Sequence, residues 1–246
     1  MKRQNLLKIA LSLIFLAPIM LSVNAQREDK PLSFGVKIGS NSSGFTQNYE
    51  VFTGKRLGFT GGVFAEFKPI QIVGVSLEVN YSQQGAYHLT PSYIYSPSEL
   101  NTITIIKNNS DIRLNTIDIP LLINFRPLTE GNITPVFTAG FAFDYILSAK
   151  ATNWLYTTNT ITGIQMTLPN QTTDNVSDRF KKYNYGPVFG LGIDFTEKQI
   201  KYSIGMRYSI GLNNIDNLAN LNNVSTNSFR YDFSSNTLSI LIGVGF

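Results

Sequence analysis

Nine charged side chains fall where strand alternation would put them on one shared inner face: Lys37, Glu66, Lys68, Glu78, Asp118, Arg126, Asp144, Asp194 and Arg207. Acids and bases crowded into a narrow space can relay protons or ions. They can also simply pair and fill it. Pairing is the stronger expectation, because buried charges persist when they are paired and hydrogen-bonded. The set Glu66, Glu78, Asp118, Arg126, Asp144, Asp194 and Arg207 is therefore expected to be a structural network, with Arg126 and Arg207 neutralising the carboxylates.

Other chemistry is sparse. The one histidine, His88, stands in Tyr87-His88-Leu89-Thr90, at the start of an expected long loop. A hydroxyl nucleophile needs a base within about 3 Å and a carboxylate to orient that base. His88 beside Thr90 does not make such a set and reads as an ordinary loop histidine. One His and no Cys exclude the usual structural zinc sets, and no phosphate loop, triad or calcium loop is present. No catalytic residue, metal ligand or cofactor site is expected.

The elements that would position the charges are strands, at 33–41, 57–68, 74–86, 113–126, 134–149, 183–196, 200–212 and 235–246. Each shows period-2 alternation. Between 200 and 212 one face carries Ile200, Tyr202, Ile204, Met206, Tyr208, Ile210 and Leu212, and the other Lys201, Ser203, Gly205, Arg207, Ser209 and Gly211. Turning the bulky face inward would overfill an eight-strand interior. Facing Arg207 to lipid would cost about 2–4 kcal/mol at the midplane. Both terms place the large apolar residues outside.

Eight is an even number, as closed antiparallel bacterial barrels require. Short connections (69–73, 127–133, 197–199) alternate with long ones (42–56, 87–112, 150–182, 213–234), the asymmetry of barrels with periplasmic turns and outer loops. Segments 101–106 and 160–168 carry short β-like patterns that would extend hairpins above a membrane or add a strand pair. Pro120 interrupts the strand 113–126 and cannot donate to a ladder, so a bulge is expected there. Tyr81, Tyr145, Tyr183, Tyr185, Tyr202, Tyr208 and Phe246 fit interfacial girdles.

At the N-terminus, Lys2, Arg3 and Lys8 precede an apolar run from Ile9 to Leu21, and small residues lead to a cut after Ala25. Residues 1–25 read as a secretory signal peptide and 26–246 as one barrel domain. Removing residues 1–25 takes 20 basic residues to 17 against 16 acidic ones. A nearly neutral chain is a poor partner for nucleic acid. With no Cys, a lipoprotein anchor is excluded.

The segment Ile119-Pro120-Leu121-Leu122-Ile123, the strand around Thr138-Ala139-Gly140, the Arg207-Tyr208 pair followed by Gly211-Leu212, and the terminal Phe246 together resemble the PorT-like outer-membrane β-barrel family, the Bacteroidetes-type barrel domain. The resemblance implies a closed antiparallel transmembrane β-barrel with both mature termini periplasmic. It also implies that Phe246 is an assembly signal read by the barrel assembly machinery. The expected function is non-enzymatic: a rigid wall in outer-membrane lipid displaying long loops to envelope or secretion partners. A lipid-modifying enzyme and a small pore are the alternatives.

Overall fold

The computed structural model describes residues 31–46, 53–95, 103–127, 132–159, 165–167, 171–197, 199–215, 217 and 234–246. Residues 1–25, and the Ile161-Thr162-Gly163-Ile164 pattern, lie outside them.

Each of the eight expected strands is present: β1 (Leu32–Thr46), β2 (Thr53–Ile70), β3 (Val73–Tyr95), β4 (Ile103–Phe125), β5 (Ile133–Asn159), β8 (Tyr183–Glu197), β9 (Ile200–Ile210) and β10 (Ser234–Gly245). Two short strands, β6 (Gln165–Thr167) and β7 (Thr172–Asn175), both pair with β5, and a single 3-10 turn, η1 (Ser177–Arg179), follows them. All pairings are antiparallel. From β1 they pass through β2, β3, β4, β5, β8 and β9 to β10, which pairs with β1 again. The last residue takes part in that join. Phe246 N donates to Phe34 O at 2.8 Å, and Phe34 N donates to Phe246 O at 3.2 Å.

The burial pattern follows the alternation. On β9, Tyr202, Ile204, Met206 and Tyr208 are exposed while Lys201, Ser203, Gly205 and Arg207 are half-buried. Leu57 is 75% exposed, Ile133 63% and Leu191 60%, within an apolar surface far larger than a water-facing protein tolerates. Hydrocarbon is the medium such a surface suits. Rings border this belt at both ends. The rings of Tyr145 and Tyr183 meet in a tilted contact at 5.4 Å on one rim, and those of Phe195 and Tyr202 at 6.4 Å on the other.

Strands β3, β4 and β5 run further than expected. The expected loops 87–112 and 150–182 are partly ladder: Pro91 faces Lys107, and Lys107 faces Tyr156. A polar stretch such as Asn108-Asn109-Ser110 reads as loop by composition, yet backbone pairing in a hairpin needs no apolar side chains. About 9–11 residues suffice for a strand to cross hydrocarbon, so strands of 23 and 27 residues extend well past the belt. Of the pattern at 101–106, residues 103–106 are the start of β4, and the first two lie outside the described residues.

Two local expectations need correction. Pro120 causes no bulge: Leu77 faces Leu121 and Asn80 faces Asp118 in one unbroken register, and Pro120 faces Ala142 on the other side. The ladder to β3 simply lacks bridges opposite Ile119 and Pro120, which removes the need for the missing N–H. A register shift in β4 lies instead at Asn115/Thr116. His88 is also not at a loop start. It sits within β3, opposite Thr53 and Ser110, and its side chain lies outside the described residues.

Candidate functional site

The inner faces of the strands converge on a polar lumen built in layers. In the layer nearest the short turns, Arg126 directly follows Phe125, the last residue of β4, and points inward by alternation. Its Nη2 donates to Glu66 Oε1 at 2.7 Å, and its Nε and Nη2 both donate to Asp194 Oδ2, at 3.1 and 3.0 Å. Lys201 completes the layer by donating to the other oxygen of Glu66. Neutral groups satisfy more of the carboxylate: Asn124 Nδ2 donates to Glu66 Oε1 at 2.9 Å, and Thr138 Oγ1 holds the far end of Asn124. Gly74 makes room, since a Cβ there would collide with Glu66 Oε1 and crowd Arg126.

In the next layer Glu78 of β3 is 1% exposed. Arg207 grips it with two hydrogen bonds, Nη1 to Oε2 at 2.6 Å and Nη2 to Oε1 at 2.8 Å. This bidentate form gives direction as well as charge. Lys37 of β1 reaches the same carboxylate. Phe64 is the layer's floor: the ammonium groups of Lys37 and Lys201 lie 4.5 and 5.6 Å from its ring centroid, where the negative ring face attracts cations.

Above these, Asp118 of β4 faces Asp144 of β5 across the ladder. Of the carboxylates that Arg126 and Arg207 are expected to neutralise, those guanidinium groups take Glu66, Asp194 and Glu78 and leave this pair to others. Asp118 and Asp144 are instead held by neutral donors, Thr116 and Gln84 on the first and Asn184 on the second. Lys68 is half-buried and makes no ion pair among the described residues.

Toward the long loops, a bulge between Lys55 and Thr60 in β2 accompanies a bond from Arg56 Nε to Asp111 Oδ1 at 2.8 Å. Opposite the bulge, Gly85 has a φ of +147°, a conformation L side chains rarely adopt. Ser43 Oγ accepts from Gly85 N at 2.8 Å and donates to Gly85 O at 3.0 Å. The far end is apolar. Phe45, Ile112, Leu114 and Ile146 from the strands pack with Phe180 and Ile215 from the connections. Lys181 N donates to Ile215 O at 2.8 Å, tying the two connections together.

Sequence reasoning placed Lys201 on the polar face of its strand, but left Arg56 in an expected loop. It had no signal for Phe180 and Ile215, whose apolar character is isolated within polar connections. Among the described residues no group of three or more His, Cys, Asp or Glu side chains could hold a metal ion.

A strand cycle with an apolar exterior and a charged interior is the form of a membrane barrel, and residues 24–217 match the family described as "Outer membrane protein beta-barrel domain". The chain belongs to that family. It is an outer-membrane β-barrel protein. No curated protein matches its sequence. Among solved structures it is similar to OprG from Pseudomonas aeruginosa, at 11% identity and a TM-score of 0.43, over 87% of this chain and 93% of that one. It is also similar to Neisserial surface protein A, at 12% identity and 0.41, over 87% and 97%. A third is Ail of Yersinia pestis, in complex with the heparin analogue sucrose octasulfate, at 11% identity and 0.35, over 88% and 100%.

Proposed function

We propose that this barrel is a closed, non-conducting and non-enzymatic scaffold that carries its long hairpins to envelope or secretion partners. The observation that supports it is the pairing of lumen charges across strands that are not neighbours, above all Arg207 with Glu78. Such bonds fill the interior and stiffen the wall. Among the described residues the lumen offers no aligned base and nucleophile, and its cavities near Glu66 and Asp118 measure about 60 and 50 Å³.

In this reading residues 1–25 are removed as a signal peptide, residues 26–246 form the barrel domain, and Phe246 serves the barrel assembly machinery as its recognition signal. The short turns and both mature termini face the periplasm. The long hairpins β3–β4 and β5–β6 stand outside, in contact with partners. Within its family the chain resembles the PorT-like members on the Ile119–Ile123 segment, the Thr138-Ala139-Gly140 strand and the terminal Phe246, and an accessory role in protein secretion is one form the scaffold function takes in this reading.

Photo-crosslinkers introduced at Tyr93 and Leu155, on the extended hairpins, test this in living cells. They should trap envelope proteins, while one at Leu77 in the apolar belt should trap lipid. Lipid-only products at all three positions would contradict the scaffold reading.

A further inference from the structure

We infer that the lumen holds a small, hard cation between Asp118 and Asp144, with the amide oxygen of Asn184 as a third protein ligand. The two carboxylates sit directly opposite one another in the β4–β5 ladder, both on the inner face. Each is oriented by uncharged donors: Thr116 Oγ1 at 2.5 Å and Gln84 Nε2 at 3.5 Å on Asp118, and Asn184 Nδ2 at 3.1 Å on Asp144. The neighbouring cations are committed elsewhere. Arg207 lines the same cavity, but both its terminal nitrogens are on Glu78, and Arg126 and Lys201 serve Glu66.

Asn184 supplies the independent sign of a ligand. Its side chain is 4% exposed, its Nδ2 is taken by Asp144 and Ser235, and its Oδ1 is buried with no hydrogen-bond partner. A buried amide oxygen without a donor is costly. Beside two carboxylates, a cation satisfies it and offsets their charge together, which a water molecule does not. The shared cavity of about 50 Å³ is walled further by the hydroxyls of Ser82, Ser209 and Thr237. An all-oxygen set of flexible side chains suits calcium better than magnesium, which demands near-ideal geometry and sheds its water reluctantly. Only two carboxylates contribute, so the affinity expected is weak, about 10⁻⁴–10⁻³ M.

Thermal unfolding of the mature barrel in detergent, in about 10 mM calcium chloride against choline chloride of equal ionic strength, tests the site. Calcium should raise the wild-type Tm by roughly 3–11 °C. D118N and N184L should each lose that rise, and K182A, on an exposed lysine, should keep it. Isothermal titration of the wild type should give one calcium per chain, a readout that stands even if a variant fails to assemble. Equal melting in the two salts, no calcium heat, or a folded D118N/D144N protein that keeps the rise would overturn the site. So would a wild type stabilised by acid alone, as a shared proton would produce.

Discussion

Arg207 of β9 and Glu78 of β3 are 129 residues apart and lie on strands that do not pair, yet they meet across the lumen through hydrogen bonds of 2.6 and 2.8 Å. Removing the guanidinium leaves a buried carboxylate with Lys37 as its remaining cation. Arg207→Ala should therefore destabilise the barrel by about 3 kcal/mol. Lys182→Ala, at an exposed position, should change stability by less than about 0.5 kcal/mol. Urea unfolding of both variants in detergent measures the difference, and equal midpoints would count against the pair.

Phe180 is 3% exposed and packs on Phe45 with ring centroids 6.3 Å apart, so it pins the connection between β7 and β8 into the barrel mouth. Truncating a buried Phe costs about 3–5 kcal/mol in a packed core. Phe180→Ala should release residues 177–182 to protease while the strands stay resistant. Limited proteolysis with mass mapping checks this. An unchanged cleavage pattern would show that the cap is held by other contacts.

Gly85 is a second sensitive point. Its φ of +147° strains any side chain, and an added Cβ would collide with Ile112 O. Gly85→Val should lower the yield of heat-modifiable, folded barrel on refolding, whereas Gly44→Ala, where a Cβ meets only Lys55 Cγ at 3.6 Å, should not. The electrophoretic mobility shift of unheated samples reports both. Equal yields would remove the bulge from the account.

Strand positions and their outward faces were legible in the sequence because lipid outside and a narrow lumen inside act on alternate residues. The contrast between Tyr202-Ile204-Met206 and Ser203-Gly205-Arg207 is that selection written directly. Partner choice among the charges was not. Alternation places Arg126, Glu66 and Asp194 on one face, but which cation reaches which acid depends on the stagger between strands far apart in sequence. Arg126 meets Glu66 and Asp194, while Asp118 is left to Thr116 and Gln84. The extended hairpins were legible only in part: the pattern at 101–106 pointed to one of them, but polar stretches beyond an apolar belt, such as Asn108-Asn109-Ser110, carry no periodic signal.

The lumen itself admits the most direct measurement. If the ion pairs around Glu66 and Glu78 and the apolar cap under Phe180 fill it, purified wild-type barrel inserted into planar bilayers should show no steady conductance at any applied voltage that the membrane survives. Stable, porin-like current steps from the wild type would contradict a filled interior and the scaffold role built on it.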